Sequence, residues 1–239
     1  MGKLAASVAI VLSTTLALLG CQNVPSEDLT RRFEAHMALA EGYFEVGDFE
    51  RARRPLASAL ELQPRAWQPH WVAARIYDRE GEAALAEAAF RRARRLGPAH
   101  SELRNDYGVF LFRQGRFDAA VAELEAAVQD PDFPLRAVAF ENLGQALEAV
   151  GNRSGARDAF GRALALSPCL SRPLLALTRL ELTEGDVPAA RRYAERYARC
   201  APDNEESLTL ALAIARRLGD PDAEAEASRR LRALQESRP

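Results

Sequence analysis

The chain reads Gln114-Gly115-Arg116-Phe117-Asp118-Ala119-Ala120 near its middle, and this stretch decides the fold. Its glycine recurs at intervals of 34 or 36 residues, each time after an apolar stretch with helical periodicity: Gly47, Gly81, Gly115, Gly151, Gly185 and Gly219. An alanine stands five residues after each of the first five glycines: Ala52, Ala86, Ala120, Ala156 and Ala190. A fixed period of this length indicates a solenoid, in which each unit packs on its neighbours.

Each repeating unit is predicted to be a pair of antiparallel helices joined at the glycine. Glycine suits that turn because it adopts positive φ without steric cost, and the small alanine beyond it lets the two helices approach closely. A proline ends four of the second helices, at Pro64, Pro98, Pro168 and Pro202. Together these positions form the tetratricopeptide signature. The sequence therefore predicts an all-α fold, a right-handed superhelix of about six tetratricopeptide repeats, at 33–66, 67–100, 101–136, 137–170, 171–204 and 205–236.

The first twenty-one residues have the pattern of a secretory segment. Lys3 gives a positive start, and residues 4–19 are apolar apart from a few hydroxyl side chains. The run ends in Leu18-Leu19-Gly20-Cys21, which resembles the bacterial lipobox, with a small residue before the cysteine that receives the lipid. We expect a lipoprotein signal peptide at 1–20, a lipidated Cys21 with a tether at 21–32, and the repeat domain at 33–236. The alternative is an uncleaved anchor in which Cys21 stays a free thiol.

The charge balance and the histidines argue against several other classes of function. The chain has 34 acidic residues against 32 lysines and arginines, a net charge of -2, so no basic face for nucleic acid is expected. The three histidines, His36, His70 and His100, have no second ligand nearby at a spacing typical of metal sites. No phosphate-binding loop or nucleophile motif occurs in the sequence. We expect no enzymatic activity, no cofactor, no metal and no small-molecule substrate.

Cys169 and Cys200 are predicted to lie close together in the fifth repeat. The first stands at the start of that repeat and the second near the end of its second helix, and antiparallel pairing brings those two ends side by side. An oxidising compartment such as the periplasm favours a disulfide between them. The alternative is two separate small buried side chains.

The first helices of stacked repeats line the concave face of a superhelix, where a protein partner is expected to bind. We predict that the groove lies in the N-terminal repeats, where large apolar side chains mix with charges of both signs. The predicted groove residues are Met37, Glu41, Phe44, Trp71, Arg75, Asn105 and Phe112. Aromatic and arginine side chains are frequent anchors at protein interfaces, and an extended or helical peptide is the expected ligand. For each residue alone, core packing or plain surface is the alternative.

Several stretches resemble one family: Asn105-Asp106-Tyr107-Gly108-Val109-Phe110-Leu111, Gln114-Gly115-Arg116-Phe117 and Glu141-Asn142-Leu143-Gly144. With the lipobox, they are similar to the type IV pilus biogenesis lipoproteins called PilW or PilF, the secretin pilotins. The resemblance implies a lipid anchor in the outer membrane, on its periplasmic face, and Gln22 after the cysteine agrees with that destination. It implies that the partner is the pilus secretin subunit, whose localisation and multimerisation the protein promotes, so that pili and twitching motility depend on it. The alternative is a generic tetratricopeptide lipoprotein that scaffolds another envelope complex.

Overall fold

The computed structural model describes residues 26–236, and within them it contains twelve α-helices and no β-strand. The helices are α1 (Ser26–Glu45), α2 (Phe49–Leu62), α3 (Gln68–Arg79), α4 (Ala83–Leu96), α5 (Ser101–Arg113), α6 (Phe117–Ala127), α7 (Arg136–Ala149), α8 (Arg153–Leu166), α9 (Ser171–Glu184), α10 (Val187–Cys200), α11 (Glu205–Leu218) and α12 (Pro221–Glu236). The predicted signal peptide at 1–20 and Cys21 lie outside the described residues. None of these helices is long and apolar enough to span a membrane.

The helices form six successive antiparallel pairs, and each pair is joined by a turn that contains one of the repeat glycines. All six glycines have positive φ, between 65° and 89°, a conformation that a residue with a Cβ adopts only with strain. The predicted superhelix of six tetratricopeptide repeats is confirmed. We call α1, α3, α5, α7, α9 and α11 the first helices, and the other six the second helices.

The first helix begins earlier than the repeat boundary predicted at residue 33. α1 starts at Ser26, so residues 26–32, which were assigned to the tether at 21–32, are helical instead. Glu27 and Asp28 place negative charge in its first turn, where the helix dipole favours it, and Arg31 pairs with Glu27 at 3.5 Å. Only residues 21–25 of the predicted tether precede the helix.

Small residues at the predicted positions let the two helices of a repeat pack closely. The alanines that follow the first five glycines are all fully buried: Ala52, Ala86, Ala120, Ala156 and Ala190. A Cβ built on Gly108 of α5 would lie 2.6 Å from Leu124 Cγ on α6, and one built on Gly144 of α7 would lie 2.5 Å from Phe160 Cε1 on α8. Because even a methyl group does not fit there, these two glycines set the close spacing of their helix pairs.

Candidate protein-binding groove

The first helices lie side by side along the whole stack. The backbone of each one comes within 8 Å, between Cα atoms, of the first helix of the next repeat, whereas no second helix within residues 26–236 approaches the next second helix that closely. A stack whose units approach more closely on one side curves toward that side, and repeat proteins bind partners on such concave surfaces. The first helices therefore line the concave face, and a groove for a partner would lie along them.

The structure buries four of the seven predicted groove residues. The buried ones, each exposing 6–7% of its surface, are Met37, Phe44, Trp71 and Asn105. The three that are half-buried and remain accessible are Glu41, Arg75 and Phe112. Burial favours core packing for the first set, which was the alternative for each residue taken alone. The role of all seven in binding a partner stays a prediction.

Arg75 joins three successive first helices. Its guanidinium carbon lies 4.0 Å from the centre of the Phe44 ring and 4.8 Å from that of the Trp71 ring, a geometry in which the cation is attracted to the ring faces. Its Nη2 lies 3.4 Å from Glu45 Oε1 on α1, and its Nε lies 3.7 Å from Asp106 Oδ2 on α5. Three of the predicted residues, Phe44, Trp71 and Arg75, are thus brought together around one cation.

Asp106 is the acidic centre of this cluster, and it was not among the predicted groove residues. Its Oδ2 accepts a hydrogen bond from Trp71 Nε1 at 3.0 Å, and its Oδ1 accepts one from Asn105 Nδ2 at 3.4 Å. Burial raises the pKa of the Asp106 carboxyl, and the charge of Arg75 and the hydrogen bond from Trp71 offset part of that rise. Asp106 stands 35 residues after Trp71, about one repeat further along, but every position has a residue at that separation, so the spacing alone did not single it out.

Replacing Asp106 with asparagine is expected to remove a pH dependence of folding. A carboxyl group whose pKa is higher in the folded chain than in the unfolded chain costs stability as the pH rises from the ordinary value of 3.8 through the raised value. Asp106→Asn keeps an acceptor for Trp71 and has no charge to bury. We expect the variant to gain stability relative to the wild type as the pH rises from about 4 to 7, measured as urea midpoints by circular dichroism. Parallel midpoints over that range would contradict this expectation.

Polar contacts continue between the first helices to the far end of the stack. Asn142 on α7 donates from Nδ2 to Asn105 Oδ1 at 3.0 Å. Arg179 on α9 lies between two carboxylates, 3.0 Å from Glu148 Oε1 on α7 and 2.8 Å from Glu206 Oε1 on α11. We call the whole row the polar ladder, and its rungs from α1 to α11 are Glu45–Arg75, Arg75–Asp106, Asn105–Asn142, Glu148–Arg179 and Arg179–Glu206. The ladder joins every pair of neighbouring first helices.

Two depressions open beside the polar ladder. The first, of about 180 Å³, has Phe44, Val109 and Arg113 in its lining. The second, of about 430 Å³, lies further along the stack and has Phe112 and Arg179 in its lining. The larger depression therefore lies beyond the N-terminal repeats in which the groove was predicted, and Phe112 belongs to a different depression from Phe44. Each has an apolar side chain and an arginine in its lining, the two kinds of group that an amphipathic peptide would contact.

Cys169 and Cys200 form a disulfide in the structure, with their sulfur atoms 2.02 Å apart. The bond joins the connection before α9 to the last residue of α10. It therefore closes the fifth repeat at the end opposite its glycine turn, where antiparallel pairing was expected to bring the two cysteines together.

The histidines pack against their neighbours. His100 stacks on Trp67 with ring centres 4.0 Å apart, and burial, reinforced by the charge of Arg92, lowers the pKa of His70. Throughout residues 26–236, no group of three or more histidine, cysteine, aspartate or glutamate side chains is arranged to hold a metal ion. The concave face is built from aromatic, arginine and carboxylate side chains, and aromatic and arginine side chains are frequent anchors at protein interfaces.

Comparison with known proteins gives the family. The tetratricopeptide repeat model matches residues 37–101, 73–137, 108–169 and 141–205. The type IV pilus assembly protein PilF of Pseudomonas aeruginosa is 31% identical to this chain over 235 residues, which make up 95% of this chain and 92% of that protein. The chain belongs to the PilF and PilW family of type IV pilus biogenesis proteins. As a tetratricopeptide protein of that family, it is a scaffold for protein interaction in type IV pilus biogenesis.

Solved structures of PilF and PilW share the fold along its length. Pseudomonas aeruginosa PilF superposes with a TM-score of 0.79 at 29% identity, covering 88% of this chain and 95% of that one. PilW, described as a widely conserved type IV pilus biogenesis factor, has a TM-score of 0.72 at 27% identity, covering 86% and 94% of the two chains. YrrB, a tetratricopeptide protein with an unusual peptide-binding site, has a TM-score of 0.63 at 20% identity, and that likeness concerns the fold alone.

Proposed function

We propose that this protein is the pilotin of a type IV pilus, a lipoprotein of the outer membrane that binds the secretin subunit and promotes its localisation and multimerisation. The observation that carries the proposal is the 31% identity to Pseudomonas aeruginosa PilF over 95% of the chain. The aligned region spans nearly the whole chain, so it covers the first helices that line the concave face as well as the second helices.

The concave face suits a peptide segment of the secretin subunit. Such a peptide, extended or helical, would place apolar side chains against Val109 in the first depression and Phe112 in the second. Its carboxylates would compete for Arg113, which pairs with Asp78, and for Arg179 on the polar ladder. Both arginines are held by carboxylates before a ligand arrives, which lowers the entropy lost when the peptide binds.

The lipid attachment would come from Cys21, which lies outside the described residues. Each buried CH₂ of an acyl chain contributes about 0.8 kcal/mol, and two or more chains give stable anchoring. The proposed function has no catalytic step and needs no cofactor. The protein would act by holding the secretin subunit at the membrane in which the subunits assemble, and pili and twitching motility would depend on that assembly.

The test is the state of the secretin in cells that lack this protein. We expect heat-resistant secretin multimers to disappear from the outer membrane, together with pili, and to return when the wild-type gene is restored. Cys21→Ser should restore them poorly, because the adaptor would no longer be held at the membrane. Arg113→Glu should also restore them poorly, because it puts a carboxylate beside Asp78 and reverses the charge of the first depression.

The matched control for Arg113→Glu is Arg191→Glu. Arg191 lies on a second helix, is exposed to a similar degree, and pairs with Glu195 at 2.7 Å. This variant should restore multimers as well as the wild type does. Normal multimers and normal pili in the deletion strain would remove the pilotin function, and equal defects in the two arginine variants would remove the groove as the secretin site.

A further inference from the structure

The antiparallel pairs place two kinds of helix end at one edge of the solenoid. The first helices begin and the second helices end there, whereas the glycine turns lie at the opposite edge. We call these the loop edge and the turn edge. The loop edge comprises the start of α1, the connections at 63–67, 97–100, 128–135, 167–170 and 201–204, and the helical turns next to them.

Arginines are concentrated on the loop edge of the second repeat, where four of them fall within residues 91–95 at the end of α4. Two of the four are paired: Arg91 with Glu87 at 2.9 Å and Arg94 with Glu123 at 2.6 Å. The other two, Arg92 and Arg95, are exposed and form no ion pair within residues 26–236, and the same holds for Arg65 in the connection before α3. No ion pair within residues 26–236 neutralises these three arginines, although the exposed carboxylates of Glu61 and Glu102 stand on the adjoining helical turns.

Exposed apolar side chains follow two repeats further along the loop edge. Leu135 lies just before α7 with 48% of its surface exposed, and Val138 in the first turn of α7 is 38% exposed. Leu166, the last residue of the antiparallel α8, is 52% exposed. Basic and aliphatic side chains together are the groups with which amphipathic helices lie in a membrane interface, and the loop edge presents both kinds, two repeats apart.

The N-terminal segment begins from this same edge. α1 starts at Ser26 on the loop edge, and Cys21 precedes it by five residues. Five residues span at most about 18 Å even when fully extended. A lipid on Cys21 would therefore hold the loop edge, and not the turn edge, close to the bilayer. The first turn of α1 is acidic, with Glu27 and Asp28. An anionic bilayer surface would therefore be contacted by the arginines that begin one repeat further along.

We propose that the loop edge rests on the membrane, with Arg65, Arg92 and Arg95 on the headgroups of anionic phospholipids and Leu135, Val138 and Leu166 at the interface. This proposal rests on the lipid attachment in the proposed function. Its physical basis is charge complementarity, since each arginine near an anionic membrane surface contributes about 1 kcal/mol. The lipid fixes the protein at one point, and the loop edge fixes its orientation, so that the stack of repeats lies along the membrane.

The test uses the mature chain, residues 21–239, with Cys21→Ser to remove the lipid while every described helix is kept. Its partition is measured by sedimentation with vesicles of phosphatidylcholine alone and with vesicles that also contain phosphatidylglycerol. We expect binding to the anionic vesicles only, weakening as salt is added. Arg92→Gln with Arg95→Gln should lower the partition coefficient about 30-fold, the factor that corresponds to two arginine contacts.

The matched control is Arg153→Gln with Arg217→Gln, two exposed arginines beside glycine turns on the turn edge. This variant has the same net charge and should bind anionic vesicles as the parent chain does. Equal binding to both kinds of vesicle, or an equal loss in the two variants, would overturn the proposal.

The vesicle measurement contains no secretin, so its outcome is separate from that of the pilotin test. Loss of secretin multimers in the Arg92 and Arg95 variant with unchanged vesicle binding would assign these arginines to an acidic protein surface instead, and would also overturn the proposal.

Discussion

Breaking the disulfide between Cys169 and Cys200 is expected to lower the free energy of unfolding by about 3–4 kcal/mol. The bond links residues that are 31 apart in sequence, and a cross-link of that span removes much conformational freedom from the unfolded chain. Without the bond, the unfolded chain has more conformational entropy, and folding must lose that extra entropy when the start of α9 and the end of α10 come together. The measurement is the urea unfolding of Cys169→Ser with Cys200→Ser, followed by circular dichroism, beside the parent chain.

A reducing agent provides the control for the disulfide. It should lower the stability of the parent chain to that of the double serine variant and leave the variant itself unchanged. Both proteins should carry Cys21→Ser, so that no third thiol exchanges with the pair. If reduction of the parent leaves its unfolding midpoint in place, the bond contributes nothing to stability and the prediction is wrong.

Trp71→Ala is expected to destabilise the fold by about 3–5 kcal/mol, the range for removing a large buried aromatic side chain. Trp71 exposes only 6% of its surface. Its loss would leave a cavity, take away the hydrogen bond to Asp106, and remove one of the two rings against Arg75. Urea unfolding measures the change. A loss of secretin assembly in this variant would therefore report on folding as much as on binding.

Trp67→Ala is the matched control for Trp71→Ala. The two rings lie 5.7 Å apart, but Trp67 is half-buried and stacks on His100 at the loop edge. Its removal should cost clearly less than that of Trp71. Equal losses for the two variants would show that the burial of Trp71 is not what determines its contribution.

The repeat architecture could be predicted from the sequence because each structural requirement of a repeat falls on one residue at a fixed position. A turn that needs positive φ selects glycine, and a close helix contact selects alanine, so Gly47 and Ala52 and their counterparts show the period directly. The start of α1 was less predictable. It extends upstream of the repeat pattern, on residues whose helix is favoured by first-turn acids such as Glu27 and not by burial.

The groove was harder to predict than the fold, because a residue on the first helices can face either a neighbouring helix or the solvent. Phe44 and Trp71 stand at positions expected to face the groove, yet the side-by-side packing of first helices covers them. Asp106 and Arg179 depend on partners about one repeat away along the chain. No spacing rule indicates that a particular carboxylate will meet a particular arginine, so the polar ladder becomes visible only in three dimensions.

The polar ladder also contributes to the bending stiffness of the solenoid. Its rungs lie on the inside of the curve, where small changes in the distance between first helices alter the bend between two repeats. Arg179 is shared by Glu148 and Glu206 on the helices to either side, so a ligand carboxylate that captured it would release both neighbours at once. Binding in the groove would thus alter the curvature of the molecule, and added salt would weaken the exposed charged rungs while leaving the neutral Asn105–Asn142 rung unaffected.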